Sequence, residues 1–159
     1  MIRWWPIYGL RKKLTEKKDY VSPVSLPEKK TKIFNRSLFV YSIDVGSSNA
    51  LNFELSALES PQYNIHRYGI FMTDSPRHAD LLLILGRPVT QMLGPLKETL
   101  SQIPEPFYTV TLDDHQPGLQ EVNDYPELPN HIASLTGVPS PSEILGLLLE
   151  IAKIKKNLP

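Results

Sequence analysis

Apolar positions along the chain switch between a period of two and a period near 3.6, and the switching predicts strands and helices in alternation. Ser37 to Asp44 reads as a first strand, rich in β-branched and aromatic residues and closed by a glycine-containing turn. From about Ser48 to Glu59, Leu51, Leu55 and Leu58 recur at helical spacing. Further strands are expected at Tyr68 to Thr73, Asp80 to Leu85 and Phe107 to Leu112. The second of these is all apolar after its first residue, as a parallel strand covered on both faces should be. Between Gln91 and Gln102, Leu93, Leu96 and Leu100, followed by Ile103, share one side of a helix, with Pro95 confined to its first turns. Ser140-Pro141-Ser142-Glu143 opens the last helix with proline at its first position and glutamate three residues after a serine cap. That helix is expected to run to Lys156 and end in a basic turn suited to its dipole. Asp114 to Thr136, rich in Pro, Asp and Asn, reads as a long ordered loop. These elements predict an α/β sandwich with a mainly parallel sheet.

Length adds one constraint: 159 residues fit a single domain. Apolar residues at 41% suffice for a packed core. The stretch from Met1 to Leu10 is too short and runs too directly into charge to read as a secretory signal. Ile144 to Ile154, the longest apolar run, contains Glu150 and Lys153, so no bilayer span is expected.

Formal net charge is zero, yet residues 1–36 carry ten Lys/Arg against three acids, a net of +7 that leaves −7 for the rest. This asymmetry divides the chain into a basic N-terminal arm, 1–36, and an α/β domain, 37–159. Trp4, Trp5 and Tyr8 stand just ahead of the first basic cluster, the composition of a segment that touches a membrane interface or a membrane subunit. The plainer alternative is a solvated basic tail. Nucleic acid is not an expected partner, because the body carries no base-reading motif.

Asp44-Val45-Gly46-Ser47-Ser48-Asn49-Ala50-Leu51-Asn52-Phe53-Glu54 resembles the D-x-G-S-C-N-G-C-x-x-E segment of the small electron-transfer subunit shared by respiratory complex I and the membrane-bound nickel-iron hydrogenases. Pro61-Gln62-Tyr63-Asn64-Ile65-His66-Arg67-Tyr68-Gly69 is similar to that family's P-x-Y-D-x-E-R-F-G. Ser75-Pro76-Arg77-His78-Ala79-Asp80 matches its S-P-R-H-A-D in full. The strand from Leu81, the Gly86 to Thr90 turn and Pro104-Glu105-Pro106 continue the likeness, which covers roughly residues 37 to 112. The resemblance implies a flavodoxin-like sandwich and a four-iron cluster held by four cysteines. This chain has no cysteine. Ser48 and Leu51 stand at the first two cysteine positions, Asp114 follows the strand that precedes the third, and Val138 lies in the turn that carries the fourth. A hydroxyl, two alkyl chains and a carboxylate do not offer the soft coordination that cluster iron requires. The expectation is therefore no cofactor, the cluster being lost and its place filled without metal.

The resemblance further implies a subunit packed between a large, complex I D-subunit-like or hydrogenase-like protein and a membrane-embedded H-subunit-like protein. A ferredoxin-like subunit is a further candidate partner, and the expected place is the cytoplasmic face of the cell membrane, peripherally bound. The role would be scaffolding, with proton or conformational coupling to ion translocation; catalysis by the chain alone is not expected. Glu54 and His78 are candidates for a proton relay, with an interface glutamate as the plainer reading of the first. Arg77, ahead of Asp80, is expected in an Arg-carboxylate contact that fixes its loop. Trp4, Trp5, Arg77 and Asp44 are the candidate partner contacts. The turn from Asp44 to Asn49 could cradle an anion on its amides, or be a glycine turn with a Ser or Asn cap. Two alternatives stay open: an electron-transfer subunit using a cofactor that the sequence does not display, and a free-standing flavodoxin-like binding module.

Overall fold

The computed structural model describes residues 20–24, 37–114 and 127–153. The arm residues Trp4 and Trp5 and the continuation of the last helix toward Lys156 lie outside them. Five strands, β1 (Leu38–Gly46), β2 (Ile70–Met72), β3 (Leu81–Gly86), β4 (Tyr108–Asp113) and β5 (His131–Thr136), form one sheet in the order β2-β1-β3-β4-β5. Every pairing is parallel. The helices are α1 (Asn49–Ala57), α2 (Leu93–Gln102) and α3 (Pro141–Lys153). A likeness in strand order to flavodoxin follows directly, since that fold also runs 2-1-3-4-5.

The sequence pattern explains the layering. On one face, Leu51, Leu55 and Leu58 of the α1 region and Ile144, Leu147, Leu148 and Ile151 of α3 close over Leu38, Val40, Leu81, Leu83, Leu85, Val110 and Leu112. On the other, Leu96, Ile103 and Phe107 pack with Ile43, Val45, Leu82 and Ile84. β3 lies in the middle and is buried along its whole length, so its unbroken apolar run has cores on both sides.

α3 is apolar around most of its circumference, and the structure supplies the second cover that this demands. Tyr20 and Val24 join the core on α3's side of the sheet, and Tyr20 meets the rings of Tyr63 and Tyr68 at 6.2 and 6.4 Å. The chain crosses α3 at Gly146, where an added Cβ would lie 2.5 Å from the Val21 carbonyl oxygen. Residues 20–24, read from charge as part of a separate arm, are thus packed onto the domain.

One sequence expectation fails here. Asp114 to Thr136 is not wholly loop: its last six residues form β5. The alternation that would have marked the strand is broken by a register shift between Thr109 and Val110, which pair with His131 and Ala133 and leave Ile132 as the extra residue. Among the described residues, no helix is long and apolar enough to cross a membrane.

Candidate functional site at the carboxyl edge of the sheet

Parallel strands deliver all their exits to one edge. The chain moves from β1 outward to β2, then returns to the other side of β1 for β3, so the strand order reverses between β1 and β3. Ligand sites of open α/β sheets form outside the carboxyl ends of strands at such a point. Ser48, Asp114 and Val138 all leave strands at this edge, and Leu51 begins its helix there.

Backbone approach builds the site. β1 carries a bulge between Asp44 and Gly46, and Gly46 pairs with Gly86 at the end of β3. A Cβ on Gly86, which has φ +77°, would collide with the Ser47 amide nitrogen, and one on Gly46 with the Arg87 carbonyl. Glycine is required at both because backbone fills the space a side chain would need. The Val89 N–H then donates to the Val45 carbonyl at 2.9 Å, tying the two exits together.

Three amides of this turn, those of Gly46, Ser47 and Ser48, are committed to the chain's own carboxylates. Asp44 Oδ1 accepts from Gly46 N–H at 3.0 Å and Ser47 N–H at 2.8 Å. Its Oδ2 accepts from Asn52 Nδ2 at 2.8 Å, and Asn52 also donates to Ser47 Oγ at 3.2 Å. Partial burial is the largest influence on Asp44 and pushes its pKa up, but the donors Asn52, Ser47 and Gly46 together outweigh it and hold the carboxyl below its ordinary value. Ser48 N–H donates to Asp114 Oδ2 at 2.8 Å. Ser48 also caps α1, its Oγ accepting from Leu51 N–H at 3.4 Å. Beside them Arg87 Nε donates to both carboxylate oxygens of Asp113, at 2.9 and 3.0 Å.

The four positions at which the sequence resemblance expects cysteine therefore divide. Ser48 and Asp114 are hydrogen-bonded, and Asp114 is buried to 2% exposure. Leu51 is wholly buried in the core under α1. Val138, between β5 and α3, is 48% exposed. These residues do not fit a four-iron cluster, because none is a thiolate and one is an alkyl chain built into the core.

The remaining candidates are dispersed. Glu54 is half-buried on α1, over the first face of the sheet, whereas His78 is exposed in a short turn, Pro76–His78, that packs against α2 on the second. The sheet stands between them. Arg77 is exposed, and among the described residues it forms no ion pair, contrary to the expected loop-fixing contact. Asp80 accepts instead from the Phe39 N–H, at 3.0 Å, which anchors the start of β1. Among the described residues, the Arg-carboxylate contact is that of Arg87 with Asp113.

Sequence reasoning also missed a polar cluster on β4 and β5. Thr111 Oγ1 donates to Ser134 Oγ at 2.8 Å, and His131 Nε2 lies 3.1 Å from Ser134 Oγ and 3.3 Å from Thr111 Oγ1. Burial lowers the His131 pKa and a contact with the Ala133 backbone opposes it, the net direction being down. The β5 bulge brings His131 and Ser134 to one face, which linear spacing could not show.

No model of a known protein family matches the chain. It is 35% identical over 81 residues to the probable membrane-bound hydrogenase subunit mbhJ of Pyrococcus furiosus, covering 51% of this chain and 48% of that protein. Over 59 residues it is 34% identical to NAD(P)H-quinone oxidoreductase subunit K 2 of a Cyanothece species, covering 37% of this chain and 23% of that protein. The chain thus spans half or less of the length of these curated relatives. A chain in the structure of the membrane-bound sulfane sulfur reductase, an archaeal respiratory membrane complex, superposes with a TM-score of 0.57 at 20% identity, covering 77% of this chain and 73% of that one. That likeness carries the fold. By sequence, this chain is a homologue of the membrane-bound hydrogenase subunit mbhJ and of NAD(P)H-quinone oxidoreductase subunit K.

Proposed function

We propose that this chain is a cluster-free subunit of a membrane-bound complex related to respiratory complex I and the energy-converting hydrogenases. It serves as a scaffold between the large subunit and the membrane arm of that complex, at the cytoplasmic face, and couples proton or conformational events to ion translocation. Its N-terminal arm contacts the membrane surface or a membrane-embedded subunit through Trp4, Trp5 and the basic residues that follow. The observation that carries the reading is the loop from Asp44 to Asn52, built and hydrogen-bonded at the switch point of the sheet with donors unsuited to iron. Named relatives that are subunits of hydrogenase and quinone oxidoreductase assemblies support the kind of complex. Phe53 on α1 is 72% exposed and Val138 in the turn before α3 is 48% exposed, so each is open to a partner. Asp44 shapes the loop that such a partner would meet.

Affinity purification of the full chain from solubilised membranes tests this. The expected result is stoichiometric recovery of a large hydrogenase-like subunit and a membrane-embedded subunit. Recovery of a soluble monomer alone would instead favour a free-standing binding module.

A further inference from the structure

The Ser48–Asp114 contact joins two positions that are far apart in sequence but that the family resemblance assigns to one cluster. In a cluster-bearing protein, thiolates at those positions would tie the loop after β1 to the loop after β4 through iron. Here the tie is direct: the Ser48 N–H, at the N-cap of α1, donates to the carboxylate of Asp114, the residue that follows the end of β4. Asp114 has the one carboxyl group among the four positions, and it is buried. Its neighbour Asp113 is held by Arg87 from the β3 exit, and Gly137 N–H donates to the Asp113 carbonyl at 2.7 Å from the β5 exit. The exits of β1, β3, β4 and β5 are thereby linked around Asp113-Asp114 without metal.

We infer that Asp114 is a positioning residue that replaces the cluster as the cross-link between the β1–α1 loop and the β4 exit, fixing the α1 N-terminus by a buried hydrogen bond from the Ser48 N–H. The inference rests on the cluster-free reading and goes beyond it. Absence of iron would by itself leave the two loops untied, whereas the carboxylate ties them. A hydrogen bond of this kind shifts an opening equilibrium by roughly 10- to 100-fold.

Amide hydrogen exchange on the full chain reads the tie at the Ser48 N–H itself, with Leu83 and Ile84 in β3 as internal references. Asp114→Ala should raise exchange at Ser48 about tenfold or more relative to those references, and Asp114→Asn, whose carboxamide oxygen can still accept, by less than about threefold. Asp114→Ser, too short to reach the amide, should reproduce the alanine result and covers the case in which that variant does not fold. An unchanged ratio in these variants would overturn the inference. Iron analysis of the same samples separates the two claims. About four irons per chain would sink the cluster-free reading, whereas an iron-free chain with an unchanged ratio would sink only the cross-link.

Discussion

Adding one methyl group at Gly86 and the same group at Gly94 should change stability in opposite directions. Gly86 has φ +77°, and its added Cβ would run into backbone of Gly46 and Ser47, which cannot rotate away. The left-handed conformation costs an alanine about 1–2 kcal/mol. Forcing the strand ends apart adds about 1–3 kcal/mol. Gly86→Ala should therefore lose roughly 2–5 kcal/mol, which for a domain of this size lowers Tm by about 4–20 °C. Gly94 stands in the first turn of α2 with nothing within 4 Å of its would-be Cβ. Alanine there should gain about 0.5–1 kcal/mol from helix propensity and a less flexible unfolded chain. Thermal unfolding followed by circular dichroism compares the two directly. A Gly86→Ala protein melting within about 1 °C of the parent would refute the claim that backbone contact between the β1 and β3 exits builds the site.

Gly146→Ala should displace residues 20–24 from α3, since the obstruction at 2.5 Å is backbone, and limited proteolysis should then cut within that segment faster than in the parent. The Tyr20 phenol, raised above its ordinary value mainly by burial, should titrate closer to that value in the same variant. Ser140→Ala removes a cap hydroxyl that donates to Glu143 Oε2 at 2.8 Å and accepts from Glu143 N–H at 3.4 Å, and should cost about 1 kcal/mol by denaturant unfolding. His131 has a folded-state pKa below its ordinary value of about 6.5, so the native state binds its proton more weakly than the unfolded state. Its stabilising contribution is complete above about pH 6.5 and is lost as pH falls through the folded value; His131→Asn should flatten the Tm profile on that acid side. Asp44, also lowered, contributes stability above the ordinary carboxylate value of about 3.9 and loses it only at still lower pH, so its effect separates from that of His131.

What the sequence made legible was what lies close together along the chain. The apolar run within Asp80 to Leu85 announced a strand buried on both faces, Leu51, Leu55 and Leu58 announced the buried side of α1, and Ser140 to Glu143 announced the start of α3; each signal spans ten residues or fewer. The losses share a cause, dependence on contacts made at long range. β5 hid because its bulge spoils the two-residue period. Arg77 attracted attention through its motif, yet the backbone brings Asp80 to an amide of β1 and leaves the ion pair to Arg87, whose partner lies 26 residues away. Gly146 reads in isolation as a weak point in a helix, and only the crossing of residues 20–24 gives it a purpose. The candidate site shows both sides. Its loop, with Asp44, Gly46 and Ser48, was visible, but the bond from Ser48 to Asp114, 66 residues on, was not.

Whether this chain holds a cluster is decided by its iron stoichiometry after purification without oxygen, together with its low-temperature paramagnetic resonance spectrum. A chain with Ser48, Leu51, Asp114 and Val138 at these positions should bind no iron and give no four-iron signal, before or after incubation with iron and sulfide. About four irons per chain with a matching spectrum that disappears in an Asp114→Ala, Ser48→Ala double variant would contradict it.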